Sequence, residues 1–351
     1  MITDKKGFIK RFILYLLMLL YITAGCTQSK SVFVEQQEYM LGTIIQVKVY
    51  GSSKKKIKES LEKAFRRVEE IEKKFSVRIP TSEITEINEQ AGRSPVKVDQ
   101  ETIYLLERSL YFSDLSKGAF DPTIGSLVKL WGIGTESAQV PDKNILQQKL
   151  RTVNYKDLTL DISQSTAYLT QIDQQLDLGA IAKGYAADEM KRILKEEGIE
   201  TAFLNLGGNV LTIGNKLDGS PWKVGVQNPL TERGEYIGIV PIQDEAIVSS
   251  GNYERFFEQN GVRYHHILDP QTGYPSENGL ISTTIITKAS IDADALSTSA
   301  YVMGLKDGFA LIESLPNVEG IFITSEKKIF VTSGLKASFH LTNEEFSYEK
   351  R

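Results

Sequence analysis

The stretch TIIQVKVYGSSKKKIKESLEKAFRRVEEIEKKF, residues 43–75, joins a strand pattern to a helix pattern and so indicates the fold class. Residues 43–49 are rich in β-branched side chains that roughly alternate with polar ones, which predicts a strand. In residues 53–75 the apolar side chains recur at spacings of three and four, which predicts an amphipathic helix with a Lys/Glu outer face. Such patterns follow one another along the chain without a regular βαβ repeat. The sequence therefore predicts an α+β fold with mixed β-sheets and flanking helices.

The rest of the chain extends this prediction. Further helices are expected at residues 101–116, 181–197 and 290–303. Strands are expected within 158–177, at 203–206, 222–226, 237–240 and 263–268, and as a hairpin at 318–324 and 328–332. No linker rich in Pro, Gly or Ser divides the chain, so residues 38–340 are predicted to form one domain, followed by a tail at 341–351.

Composition limits the class of protein. The 351 residues are 41% hydrophobic and 25% charged, which is typical of a globular protein. The formal net charge is −4, so a nucleic-acid partner is not expected.

The N-terminus resembles a bacterial lipoprotein leader. Basic residues precede the apolar run FILYLLMLLYIT at 12–23, which is too short to span a bilayer and suits an export signal. Ala24 and Gly25 come directly before Cys26, the sole cysteine of the chain. Thr23 departs from the usual lipobox residue. We expect a signal peptide at 1–25, lipidation of Cys26, a tether at 26–37 and an extracytoplasmic, membrane-anchored protein; an ordinary signal peptide or a single membrane anchor is the alternative.

Several familiar site motifs are absent from the sequence. It contains no G-x-G-x-x-G, no G-x-x-x-x-G-K-[ST], no Cys/His zinc cluster and no G-x-S-x-G. Instead, five segments are dense in Gly, Asp or other polar residues: GAFDPTIGSLVKLWGIG (118–134), LDLGAIAKGYAADEM (176–190), LNLGGNV (204–210), SSGNYERFF (249–257) with YHHILDPQTGYP (264–275), and IDADALSTSAYVMG (291–304).

Three of these segments carry candidate chemistry. Lys183 lies at a predicted helix N-terminus, where it would suit a phosphate, although it could simply be solvated. Of His265 and His266, neighbours on a strand, only one can face a given site, and either could be structural. Asp294 and Thr298 share one helix face and offer oxygen ligands for Mg²⁺, or else a helix-internal hydrogen bond.

Together with YMLGT (39–43) and FSVRIPTSEITEIN (75–88), these segments resemble the FAD:protein FMN transferases of the ApbE family, over about residues 39–304. The resemblance implies that FAD is bound by a set of residues spread along the chain: Met40, Asn88, Ala119, Phe120, Asp121, Asp177, Lys183 and Leu268. The sequence departs from the family at Arg78, where many members have Tyr. The base-stacking contact of that Tyr could be lost here, or the guanidinium of Arg78 could make it instead.

The resemblance also implies a magnesium site and a reaction. The carbonyl of Ala180 and the side chains of Asp294 and Thr298 match the metal ligands, in a site expected to be partly solvated. Lys183 would add positive charge at the phosphates of FAD. His266 is expected to be the general base, with Asp177 or a metal-bound hydroxide as rivals.

The predicted activity is Mg²⁺-dependent transfer of FMN from FAD to a Thr or Ser hydroxyl of an acceptor protein, with release of AMP. The expected acceptors are extracytoplasmic electron-transfer proteins. Two alternatives remain open: an FAD pyrophosphatase that uses the same site, and a non-catalytic flavin-binding lipoprotein.

Overall fold

The computed structural model describes residues 31–349. The predicted leader and Cys26 lie outside these residues, so lipidation stays a prediction. No helix among the described residues is both long enough and apolar enough to cross a membrane.

Seven α-helices occur within residues 31–349. Their bounds are α1 Lys54–Phe75, α2 Glu83–Glu89, α3 Gln100–Leu115, α4 Gly125–Trp131, α5 Lys143–Leu150, α6 Ala182–Glu196 and α7 Ser290–Ser314. The predicted helices at 53–75, 101–116, 181–197 and 290–303 correspond to α1, α3, α6 and α7. Helix α7 continues past the predicted end through a kink at Gly304, whose φ is 79°.

Seventeen strands accompany these helices in the described chain. Their bounds are β1 Val32–Met40, β2 Thr43–Gly51, β3 Val96–Lys97, β4 Leu158–Asp161, β5 Thr166–Leu169, β6 Thr201–Leu206, β7 Asn209–Ile213, β8 Trp222–Gln227, β9 Tyr236–Ile242, β10 Ala246–Gly251, β11 Phe256–Gln259, β12 Val262–His265, β13 Leu280–Thr287, β14 Glu319–Thr324, β15 Lys328–Val331, β16 His340–Leu341 and β17 Ser347–Tyr348.

A nine-stranded sheet forms the centre of the fold. Its strand order is β1-β2-β6-β7-β10-β13-β14-β15-β17. The strands pair antiparallel except for β15 and β17, which run parallel, so the sheet is mixed as predicted. Two three-stranded sheets, β16-β9-β8 and β3-β5-β4, and the ribbon β11-β12 complete the architecture. The α+β prediction is confirmed.

Alternating side chains place the core on both faces of the large sheet. On one face, buried residues such as Val47, Leu204 and Leu211 pack with the apolar sides of α1, α6 and α7. On the other face, residues such as Val210 and Ile247 pack against β8 and β9. We call the first the helix face. The helices on this face bring together the segments at 176–190 and 291–304.

Both ends of the predicted domain need correction. Residues 32–37, expected to be tether, belong to β1, which pairs with β2 along its whole length, from Val32 opposite Gly51 to Met40 opposite Thr43. Half-buried and exposed side chains alternate along β1 because it is an edge strand, and its run of Glu and Gln resembles a polar linker. At the other end, β17 pairs with β15 and Phe346 is buried, so residues up to 348 belong to the fold rather than to a tail.

Candidate functional site

The N-terminus of α6 meets the start of α7. Asp294 accepts a hydrogen bond from the backbone N–H of Gly184 at 2.9 Å. A carboxylate is stabilised there because the first N–H groups of a helix are unpaired and carry its positive dipole end. A Cβ on residue 184 would lie 2.3 Å from the carbonyl oxygen of Ser290, so this close approach of the two helices requires glycine.

Lys183 reaches the same carboxylate. Its Nζ lies 3.1 Å from Oδ1 of Asp294 and 3.0 Å from the carbonyl oxygen of Gly179. Asp294 is 3% exposed, so its side of the ion pair is shielded from water. Two residues predicted for one site are thus in contact, although 111 positions separate them. In this site, which is expected to be partly solvated, Asp294 is buried while the side chain of Lys183 is 24% exposed.

Thr298 belongs to a group of hydroxyls between α7 and β10. Ser250 Oγ lies 3.3 Å from Thr298 Oγ1 and 2.8 Å from Ser297 Oγ. Ser297 in turn donates to the carbonyl oxygen of Asp294 at 2.9 Å. The helix-internal hydrogen bond considered for Asp294 and Thr298 is not the arrangement found, because Asp294 pairs with α6 and Thr298 with β10.

The predicted metal ligands form a set of hard oxygens. Ala180 lies just before α6, and no donor among residues 31–349 is hydrogen-bonded to its carbonyl oxygen. The carboxylate of Asp294 has acceptor positions beyond those that Lys183 and Gly184 use. Within the same residues, no group of three or more His, Cys, Asp or Glu could hold a metal ion. By their chemistry, the carbonyl, carboxylate and hydroxyl oxygens of Ala180, Asp294 and Thr298 fit Mg²⁺, which takes few protein ligands alongside water and phosphate, better than a transition metal that prefers nitrogen or sulfur.

His266 follows the end of β12. Its backbone N–H and its Nδ1 both contact the carbonyl oxygen of Arg255, at 3.0 Å and 3.2 Å. Because a carbonyl oxygen can only accept, Nδ1 carries the proton in the neutral ring and Nε2 has the free lone pair. The residue is exposed to solvent. Desolvation by the neighbouring protein, with the charges of Arg255 and Lys183, lowers the pKa of His266.

His265 points the other way and is structural. It is 4% exposed, and its Nε2 lies 3.1 Å from the carbonyl oxygen of Ser276. Its Nδ1 accepts from the N–H of Ile267, and the ring packs edge-on against Tyr301. Burial lowers the pKa of His265 to about 4, so the ring is neutral at physiological pH. The two histidines face opposite sides, as strand geometry requires.

Asn88 and Asp177 both shape the loop before α6. Asn88 donates to the carbonyl oxygen of Leu176 at 3.1 Å and accepts from its N–H at 2.6 Å. The N–H of Asp177 donates to Pro122, and its Oδ1 accepts from Gly179. The second oxygen of Asp177 makes no such bond within residues 31–349. The side chain of Asn88 thus holds the loop, whereas Asp177 keeps an acceptor for a ligand.

Asp121 holds its own loop. One carboxylate oxygen accepts from the N–H and hydroxyl of Thr123, and the other accepts from the N–H of Tyr155 at 2.9 Å. Burial raises the pKa of Asp121, although these hydrogen bonds oppose the rise. Both oxygens are therefore in use. A contact of this loop with FAD would come more readily from its backbone.

The remaining predicted contacts are apolar. Phe120 and Leu268 are 3% and 5% exposed and pack in hydrophobic clusters, so their backbones rather than their side chains could meet a ligand. Ala119 is half-buried beside Phe120. Met40 is half-buried at the end of β1.

The turn after Met40 is tied to the histidine strand. Leu41 and Gly42 have φ values of 53° and 68°, the left-handed pair of a tight hairpin turn. Arg255 donates to the carbonyl oxygen of Gly42 at 2.9 Å, and Arg78 lies beside the same glycine. Arg255 thus connects the MLGT turn with His266. The SSGNYERFF segment predicts no role for Arg255, because its contacts with Gly42 and His266 form only in the folded chain.

The sequence of this chain matches the model of the ApbE family over residues 41–322. The chain belongs to the ApbE family. It is 36% identical over 327 residues to the FAD:protein FMN transferase of Treponema pallidum, covering 89% of this chain and 90% of that protein. The protein of the same name from Klebsiella pneumoniae is 35% identical over 301 residues, covering 86% and 92%.

Solved ApbE structures share the fold. The ApbE protein of Thermotoga maritima superimposes with a TM-score of 0.80 at 34% identity, covering 88% of this chain and 99% of that one. The flavin transferase ApbE of Vibrio cholerae gives 0.79 at 28% identity, with the same coverage. The family membership predicted from the motifs is confirmed, and so is the single-domain fold.

Proposed function

We propose that this ApbE-family enzyme transfers the FMN half of FAD to a Ser or Thr hydroxyl of an acceptor protein, in a Mg²⁺-dependent reaction that releases AMP. Family membership and the curated relatives named FAD:protein FMN transferase support the flavin transferase activity. The observation that carries the chemistry is the junction of Asp294 with Lys183 and the N-terminus of α6, because it gathers oxygen ligands and positive charge at one point.

The reaction exchanges one P–O bond for another. The acceptor oxygen bonds to the phosphorus on the FMN side of the pyrophosphate, and the bond from that phosphorus to the bridging oxygen breaks, so that AMP leaves. Charge spreads over the phosphoryl oxygens in the transition state, and catalysis depends on positioning and positive charge. Lys183, at the start of α6, supplies the positive charge.

His266 would take the proton of the acceptor hydroxyl on Nε2. The carbonyl oxygen of Arg255 holds Nδ1–H and so fixes both the tautomer and the ring orientation. In the neutral ring, Nε2 has the lone pair that accepts this proton. Asp177, with one oxygen unused, is the rival for this role.

Magnesium would be held by the Ala180 carbonyl, Asp294 and Thr298, and bound there it would neutralise phosphate charge. Lys183 shares the carboxylate of Asp294, so this lysine would have to turn toward the phosphates when the site is filled. Positive charge would then remain next to the reacting phosphorus.

The test is incubation with FAD, Mg²⁺ and a purified acceptor, followed by a denaturing gel. We expect yellow-green flavin fluorescence that migrates with the acceptor. Loss of FAD without a fluorescent protein band would indicate a pyrophosphatase instead, and a constant FAD concentration would indicate a flavin-binding protein without catalysis.

We propose further that the enzyme is a lipoprotein held on the extracytoplasmic face of the cell membrane through Cys26. The leader sequence supports this, as do the expected extracytoplasmic acceptors. Metabolic labelling with a fatty acid should mark the wild type and not Cys26→Ala. Equal label in both would contradict the lipid anchor.

A further inference from the structure

Asn209 is a buried polar residue of the LNLGGNV segment. It begins β7 directly after the Gly207–Gly208 turn and is 2% exposed. In the sheet it lies opposite Leu206 of β6 and Val248 of β10. Its neighbours on either side are thus apolar, and a polar side chain is unexpected there.

The side-chain Nδ2 of Asn209 is buried and has no hydrogen-bond partner among residues 31–349. A buried amide donor without an acceptor destabilises a folded protein, so such groups are rare and call for an explanation. An acceptor supplied by a bound molecule would explain this one.

The direction of the side chain follows from strand alternation. Leu211 and Ile213, at alternate positions of β7, belong to the core of the helix face, as do the partners of Asn209 on β6 and β10. Asn209 therefore points to the helix face. Ser250, two positions beyond Val248 on β10, lies on that face too and contacts Thr298.

Asn209 thus lies on the same face and at the same end of the strands as Ser250, whose hydroxyl contacts that of Thr298. The turn that precedes it is open at Gly208, where an added Cβ would meet no atom within 4 Å, whereas a Cβ on Gly207 would lie 2.1 Å from Oγ1 of Thr43. The backbone of this turn is fixed by a hydrogen bond, because the N–H of Gly208 donates to Oδ1 of Asn205 at 2.9 Å. Open space at the backbone of Gly208, one residue before the unpartnered donor, allows the close approach of a ligand.

We propose that Asn209 is an FAD-binding residue whose Nδ2 donates a hydrogen bond to an oxygen of the bound dinucleotide. This inference rests on the proposed function, since it takes FAD as the occupant of the site. It assigns a role to the LNLGGNV segment.

The experiment separates binding from folding. Asn209→Leu has a similar size and removes the unpartnered donor, so it should raise the Tm of the ligand-free enzyme while weakening FAD binding about tenfold, the effect of one neutral hydrogen bond. Asn209→Asp, which replaces the donor by a negative acceptor, should weaken FAD binding further. Affinity is measured by calorimetric titration with FAD, and Tm by calorimetry without ligand.

Asn228 provides the matched control. It is 3% exposed, but its Oδ1 accepts from the N–H of Leu230 at 3.0 Å. Asn228→Leu should therefore lower Tm and leave the affinity for FAD unchanged.

The outcomes distinguish a failure of the role proposed for Asn209 from a failure of the proposed function. If the wild type binds FAD and Asn209→Leu binds it equally well, the role of Asn209 is wrong while the proposed function stands. A lower Tm for ligand-free Asn209→Leu would show that the amide has a partner in the protein and would also overturn the inference. If the wild type binds no FAD, both proposals fail.

Discussion

Asp294 caps the N-terminus of α6 from another helix, with its Oδ2 2.9 Å from the backbone nitrogen of Gly184. The same carboxylate is thus a structural acceptor and the charged member of the proposed metal set. Substitutions at this position must separate these two roles.

Asp294→Asn keeps an oxygen for the N–H of Gly184 but removes the charge. We expect near-normal stability and a Mg²⁺ midpoint for FMN transfer at least about tenfold higher, because a neutral amide is a much poorer ligand for Mg²⁺. Asp294→Ala should instead lose about 1–3 kcal/mol of stability, since it leaves a buried N–H without an acceptor. Urea unfolding and a Mg²⁺ titration measure the two effects.

Asp292 is the control for this pair of variants. It lies on the same helix and pairs with Arg108 outside the proposed metal set. Asp292→Asn should keep the wild-type Mg²⁺ midpoint. An unchanged midpoint in Asp294→Asn as well would leave Asp294 with a structural role alone.

His265 and His266 should respond oppositely to the same substitution. His265→Ala should cost about 2–3 kcal/mol of stability. It removes a buried ring, and with it the hydrogen-bond partner of the Ser276 carbonyl oxygen and of the Ile267 N–H. His266→Ala should leave stability within about 1 kcal/mol of wild type, as for an exposed side chain. It should lower the rate of FMN transfer about 10²–10⁴-fold, as expected for loss of a general base.

Unfolding curves and single-turnover transfer rates measure these effects, and the Mg²⁺ midpoint of His266→Ala should not move. If His266→Ala transferred FMN at the wild-type rate, the proton would have to go elsewhere. Asp177→Asn would then be the next variant to measure.

Asp188 should make stability depend on pH. Its two oxygens accept from the N–H groups of Ser290 and Ile291, each at 2.8 Å, at the start of α7. Burial raises the pKa of Asp188 from 3.8 to about 6. The native state therefore binds more protons than the unfolded state between these pH values, and stability falls as pH rises through this window.

The expected loss from Asp188 is up to roughly 3 kcal/mol between pH 4 and pH 6, with little change above. Asp188→Asn cannot ionise and should lack this component. The comparison is the difference in unfolding free energy between wild type and variant at each pH. A constant difference from pH 4 to pH 7 would mean that Asp188 keeps an ordinary pKa.

The long periodic elements could be predicted from sequence alone because their apolar side chains face one core. Residues 53–75 are such a case, and the observed α1 ends at the predicted residue. Strand β1 could not be predicted, since an edge strand buries only half of each alternate side chain and resembles a polar linker. The two-residue strands β16 and β17 depend entirely on distant partners.

The candidate site, like the fold, could be predicted from the sequence only in part. Lys183, Asp294 and Thr298 were predicted from motifs, and the fold brings Lys183 and Asp294 into contact. The motifs could not reveal that Asp121 uses both oxygens on its own loop. The free donor of Asn209 was equally hidden, because only the pairing of β7 with both neighbours shows that its amide is buried without a partner.

The most direct test of the account follows both halves of FAD. The enzyme is incubated with FAD, Mg²⁺ and an extracytoplasmic electron-transfer protein encoded beside it, and AMP, free FMN and protein-bound FMN are quantified together. The account predicts one AMP for each FMN bound to a Ser or Thr of the acceptor, with no transfer after Mg²⁺ is removed. AMP accompanied by free FMN alone, or transfer that proceeds equally without Mg²⁺, would contradict it.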